Sequence, residues 1–377
     1  MRVPFLVAVV CWAGLAPSAV FAQWQMQTSN TTADLRGIDN VGGGVAWASG
    51  THGTVLRTED GGYVWQTCAV PPGAEKLDFR GVQAFDANTA IVMSSGPGDL
   101  SRLYKTTDGC HTWKLLFTNP DKDGFWDGIV ANQESGLIIG DPVDEHFVVF
   151  SSTNTSLNKW VRHDGSGNSP LDTTIHDAPA YHGESLFAAS NSSLKGSPNI
   201  GLLFVTGGVK SGPRSAFFVF GGWVDNGNEF GKISIPLAKG GTAGAFSFDC
   251  AGKSLLSRHV MCVAVGGDYH LPNSSNGTAA YSSRPDVRWR ASKAPPHGYR
   301  SSVAYDADLK LWITVGPNGT DVSADDGKNW RAVRPDAALH EAADADRDWN
   351  AISLPFVVGP KGRIGRLEAG AVKRSGQ

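Results

Sequence analysis

Apolar and polar residues alternate in short runs along most of this chain, and polar, glycine-rich turns separate the runs. Gln23-Trp24-Gln25-Met26-Gln27 is apolar at every second position, the period of a half-buried strand. Further along, seven segments read as opening strands of successive units: LRGI (35–38), FRGV (79–82), WDGI (126–129), GESL (183–186), GAFSF (244–248), YRSSV (299–303) and WNAI (349–352). The first six units close with strands starting near Trp65, Trp113, Trp160, Lys232, Trp289 and Trp330. The seventh, from Trp349 through GPKGRIGRLE, stops before any Trp. The strand around Trp24 is therefore expected to supply its missing last strand. Two turn-rich stretches, 164–183 and NSSLKGSPNI (191–200), read as loops at the edges of units three and four.

A turn pattern recurs before the closing strands. RTEDGGYVW holds Thr58, Asp60, Gly62 and Trp65; TTDGCHTW holds Thr106, Asp108, Cys110, Thr112 and Trp113; SADDGKNW holds Ser323, Asp325, Gly327 and Trp330. Ser282 to Trp289 keeps the spacing without the first Asp, and Ser152 to Trp160 is a copy with one extra residue. Such periodicity is the mark of a repeat protein. The Asp can accept turn N–H groups left unpaired, the Gly can adopt the positive φ that a tight turn requires, and the Trp can wedge its ring between sheets. These residues are read as structural rather than catalytic.

The pattern [ST]xDxGx[TSN]W resembles the Asp-box, or bacterial neuraminidase repeat, of sialidases and related β-propellers. The strings GTVLRTEDGGYVW, FRGVQAFDANTAIVMSSG, LYKTTDGCHTWKLLF, GESLFAASNSSL, GGDY and GYRSSVAYD resemble exported members of the photosystem II stability/assembly-factor-like group. The resemblance implies an all-β fold. We expect a single β-propeller of seven blades, each of four antiparallel strands, occupying 23–377 and closed by the N-terminal strand.

Composition agrees and narrows the function. Forty-six glycines and 12 tryptophans in 377 residues favour short strands and tight turns. A net charge of -3 offers no footprint for nucleic acid. Residues 1–22 read as a cleaved secretory signal, with Arg2 followed by an apolar run and a small-residue site before Gln23. No later segment is apolar enough to span a bilayer, so a secreted or periplasmic monomer is expected. Four cysteines remain after cleavage. Cys250 and Cys262 flank a hairpin-like segment and are paired here, leaving Cys68 with Cys110, although spacing alone permits three connectivities.

In a propeller the inner strands all enter the channel from one face, so their first polar residues form a ring at one mouth. These are Arg36, Arg80, Asp127, Glu184, Arg300 and Asn350, with no clear polar residue in unit five. A small residue follows each, letting the backbones converge. One reading has the arginines neutralised by Asp127 and Glu184, plugging the channel. Another has converging guanidiniums bind a carboxylate-bearing or peptide ligand, with Trp126, Tyr269, Tyr299 and Trp349 supplying apolar contact. The sialidase likeness implies an alternative, a glycoside hydrolase acting on carbohydrate through Asp127, Glu184 and Tyr299, although the FRIP-type segment is reduced to Phe-Arg at 79–80. DADRD (344–348) lacks the Gly and Glu of a calcium loop, and His176 and His182 lack metal-ligand spacing. No loop cradles a phosphate. No metal and no cofactor are expected.

Overall fold

The structure, a computed structural model, describes residues 24–152, 154–163, 178–197, 201–219, 230–252, 260–286, 288–337 and 341–368. The expected signal segment, the stretch 164–177 and His176 lie outside the described residues.

Seven four-stranded antiparallel sheets surround a central axis. Their inner strands are Leu35–Gly42, Phe79–Ala84, Trp126–Ala131, Leu194–Ser197, Ala243–Ala251, Ser302–Asp306 and Ala351–Ser353, and neighbouring inner strands pack on one another around the ring. In six blades the four strands follow in chain order. The seventh is completed from the other end of the chain. Trp24–Gln27 pairs antiparallel with Ile364–Leu367, in register Trp24↔Leu367 to Gln27↔Ile364. The ring therefore closes as expected.

Unit four departs from the expectation. Its inner strand is Leu194–Ser197, inside the stretch read as a loop, whereas GESL forms no inner strand. The period-two pattern of GESLF satisfies a strand rule, but its backbone leaves the sheet to cross the channel, as described below.

Every seam between blades holds a hydrophobic cluster, and the tryptophans of the turns sit in them. Trp113 packs with Trp47 between blades one and two. Trp65 meets Phe356 of blade seven edge-on at 5.5 Å, and Trp330 packs with Trp312 and Val263 between blades five and six. Trp24 plays this part for the closing strand, lying 6.1 Å from Trp349 and donating its Nε1–H to Thr320 at 3.1 Å.

The three intact turns share one hydrogen-bond scheme. The Thr58 hydroxyl donates to Asp60 at 2.8 Å and accepts the Gly62 N–H at 3.0 Å, while Asp60 accepts the Val64 N–H at 3.0 Å. Thr106 with Asp108, and Ser323 with Asp325, repeat it. Hydrogen bonds from Thr112 hold the Asp108 carboxyl down to about 2. Where the other two copies have glycine, Cys110 adopts φ 66° and is bonded to Cys68. The second disulfide joins Cys250 to Cys262, partners on adjacent strands. Both pairings match the sequence reading.

Candidate functional site

Four inner strands carry a β-bulge, at the second residue in three of them and at the fourth in blade five. Register slips between Leu35 and Gly37, Phe79 and Gly81, Trp126 and Gly128, and Ala245 and Ser247. The bulged residues are Arg36, Arg80, Asp127 and Phe246. A bulge re-aims the side chain it carries, and in three of these blades it falls at the position the sequence pattern singled out, Arg36, Arg80 and Asp127. Blade five, which offered no polar residue, contributes Phe246. The glycine after the bulge is required by close packing, against the neighbouring blade at Gly128 and within its own blade at Gly37. A Cβ on Gly128 would stand 2.1 Å from the Leu194 side chain, and one on Gly37 2.5 Å from Ser49 Oγ.

Arg36 and Arg80 share one acid that the sequence pattern did not single out. Asp78 Oδ2 lies 2.8 Å from Arg80 Nε and 3.4 Å from Arg36 Nε. Both guanidinium side chains remain about 30% exposed (30% and 28%), and the buried Arg36 Nε makes no hydrogen bond among the described residues. Two cations thus face one carboxylate at an open mouth. Asp78 stands two residues before Arg80 in LDFRGV, a spacing that could have signalled it.

The channel behind them is closed by residues 184–193. Leu186 N–H donates to Asp141 Oδ1 at 3.0 Å, Ala188 N–H donates to Asp127, and Arg80 Nη1 donates to the Ala188 carbonyl at 3.3 Å. Deeper in, Asn191 exchanges hydrogen bonds with Ile129 N–H (2.8 Å) and carbonyl (3.2 Å). Ser192 bonds Ser247 on the far side at 2.7 Å. The segment spans from blade three to blade five across the axis. Burial and the neighbouring Asp141 push the Asp127 carboxyl well above the usual carboxylate range, with Arg80 and two N–H groups opposing. Burial likewise raises Asp141 to about 6, against the Leu186 N–H. These two acids anchor the plug.

Several residues assigned to the mouth from sequence are elsewhere. Glu184 is buried in blade four, bound by Lys232 at 2.8 Å, the Thr206 hydroxyl at 2.7 Å and Tyr181 N–H at 2.9 Å, with Arg214 at 3.8 Å. Arg300 is fully buried. Its Nε donates to Asp321 Oδ2 at 2.9 Å, and it also contacts His297 and Asn318. Burial works against Asp321's charge, but His297 and Arg300 hold its carboxyl below the ordinary value. Trp126 and Trp349 are buried in the seams, not at the mouth. The causes differ: Glu184 lies outside its blade's inner strand, Arg300 is enclosed by Asp321, His297 and Asn318, and Trp126 and Trp349 stand one place before the polar strand-start residues Asp127 and Asn350 and pack into the seams.

Aromatic residues form the other wall. Phe187 of the plug stacks on Phe246 at 3.9 Å, and Phe246 meets Tyr299 at 4.8 Å and Tyr269 at 6.1 Å. Tyr299 is buried, which pushes its phenol up, while the charge of Arg36 opposes the rise. Tyr269 is 45% exposed and Leu271 59%. The cluster therefore reaches from beside Arg36 to the surface.

These features define a seven-bladed β-propeller with a plugged channel and a cationic, aromatic mouth. No family model and no curated protein sequence matches the chain. Among solved structures it is similar to YCF48 bound to D1 peptide, with a TM-score of 0.59 and 15% identity over 93% of this chain and 98% of that one. It is also similar to YCF48 from Cyanidioschyzon merolae, with a TM-score of 0.60 and 16% identity over 92% and 99%. The extracellular domain of the putative one component system BT4673 from B. thetaiotaomicron gives 0.57 and 10% identity, over 91% of this chain and 40% of that one. At these identities the likeness establishes the fold.

Proposed function

We propose that the chain is an exported, non-catalytic binding protein of assembly-factor type that takes a carboxylate-bearing peptide at the Arg36–Arg80 mouth. One observation carries the reading: two guanidiniums, each about 30% exposed, share a single acid, and the aromatic cluster of Tyr299, Phe246 and Tyr269 begins next to Arg36. A second carboxylate would balance the charge and use donors that Asp78 leaves free, in the forked geometry arginine favours. The similar YCF48 structure with bound D1 peptide lends support from outside the chain. Export is supported by the two disulfides, and no helix among the described residues is long and apolar enough to cross a membrane. The Asp-box assignment of the turns and a signal at 1–22 belong to the same proposal. Nothing in the site favours the hydrolase alternative, because Asp127 anchors the plug and Glu184 is enclosed by Lys232, Thr206 and Tyr181.

The test is fluorescence anisotropy with labelled short peptides carrying free or amidated C-termini. Free-carboxylate peptides should bind, and Arg36→Ala or Arg80→Ala should weaken them by about tenfold or more, the loss typical of a charge-assisted pair. Equal affinity for amidated peptides, or unchanged affinity in both variants, rejects the mouth as the site.

A further inference from the structure

The plug divides the channel, and its far side is a blind cavity of about 380 Å³ that opens on the face of the turn motifs. Small-molecule sites typically run about 300–1,000 Å³ with apolar walls and a few placed polar groups. Here the mostly buried Ile38, Val82, Leu194 and Ile352 supply the apolar part of the walls, polar groups such as Asp39, Gln83, Ser190, Asn191 and Lys195 supply the larger part, and no aromatic ring is among its lining residues.

The charged residues around it are unevenly matched. Lys195 is held by Asp249 at 2.7 Å, and Asp249 also accepts N–H groups from Cys250 and Tyr305. Those two charges satisfy each other. Asp39 is left over. Its Oδ2 accepts the Ala84 N–H at 2.7 Å and the Gln83 amide at 3.4 Å, but its Oδ1 takes no hydrogen bond among the described residues. Burial pushes this carboxyl upward, with the Ala84 N–H, Lys195 and Gln83 opposing. The cavity thus combines partly aliphatic walls with one carboxylate oxygen that faces the cavity and receives no hydrogen bond from the described residues.

We propose that this cavity binds a small primary amine in its ammonium form, the charged head on Asp39 Oδ1 and the alkyl body against Ile38, Val82 and Ile352. A carboxylate ligand would compete with Asp249 for Lys195, and a sugar would find no ring to stack on. The site lies behind the plug from the arginine mouth and stands independently of the peptide reading.

Isothermal titration of the disulfide-bonded chain with butylammonium chloride, with butanol and sodium butyrate as controls at constant ionic strength, tests it. Saturable binding of butylammonium alone is expected, weakened about tenfold or more in Asp39→Asn, whose amide oxygen can still accept the Ala84 N–H. Wild-type binding should also weaken as pH falls, because a protonated carboxyl no longer attracts the cation, and this readout needs no variant. Arg36→Ala should leave it unchanged. No saturable heat, equal binding of butanol, or an undiminished response in Asp39→Asn with no pH dependence overturns the proposal.

Discussion

Arg36–Arg80 and Arg300 occupy equivalent places in the repeat, yet they do opposite work. At the mouth two arginines share Asp78 and keep about 30% of their side chains in solvent (30% and 28%). In blade six a single arginine is fully buried and matched to Asp321, with His297 and Asn318 completing its contacts. The ratio of cation to acid, and access to water, separate a binding group from a structural one. A buried pair cannot lose a partner without stranding a charge, whereas an exposed one gives up little when broken.

The contrast can be broken in order of effect. Deleting residues 23–30 removes the closing strand together with Trp24, which supports blade six through Thr320, one residue from Asp321. The Arg300 side should come apart with the ring, and the thermal melt should shift down by tens of degrees or lose its single cooperative transition. An unchanged melt contradicts closure. Next, Arg300→Ala should cost about 3–5 kcal/mol in urea unfolding, the range for an uncompensated buried charge. Arg36→Ala and Arg80→Ala should each stay within about 1 kcal/mol while reducing peptide binding. If the two classes of variant cost the same, burial is not what distinguishes them.

A pH series gives the smallest and most specific effect. Asp141 titrates at about 6 in the folded chain, against about 3.9 unfolded. Between these values the folded state binds the extra proton, so this group's contribution to stability falls as pH rises from about 4 to 6. The Asp127 carboxyl, also raised, acts in the same direction. Asp141→Asn should flatten that slope in urea melts across the window. Asp108 works the other way: its stabilisation is present above the ordinary carboxylate range and is lost as pH falls toward about 2. A slope unchanged in Asp141→Asn would show that the plug anchor does not titrate there.

Much of the architecture could be read in advance because it is local and repeated. A hydroxyl, an Asp and a Trp at fixed spacing specify a turn whose hydrogen bonds are all made within a few residues, as Thr58, Asp60 and Val64 show. Alternation around Trp24 announced a strand in need of a partner. Unit four resisted because GESLF has strand-like alternation but makes only an isolated bridge, Ser185 with Gly207, and then sends the N–H groups of Leu186 and Ala188 to the acids Asp141 and Asp127 of another blade. Asp78 was passed over because its importance comes from standing between two arginines that are far apart in the chain.

By itself, then, the order of residues determined the repeated turns, the ring and its closure, and the strand-start positions of Arg36, Arg80 and Asp127. Only the assembled ring decided which of those positions meet water, which meet a counter-charge, and that a crossing segment separates the arginine mouth from a cavity lined by Asp39 and Lys195. Turn geometry and strand period depend on neighbours in sequence, whereas desolvation and charge balance depend on neighbours in space, and those exist only after the seven sheets have closed.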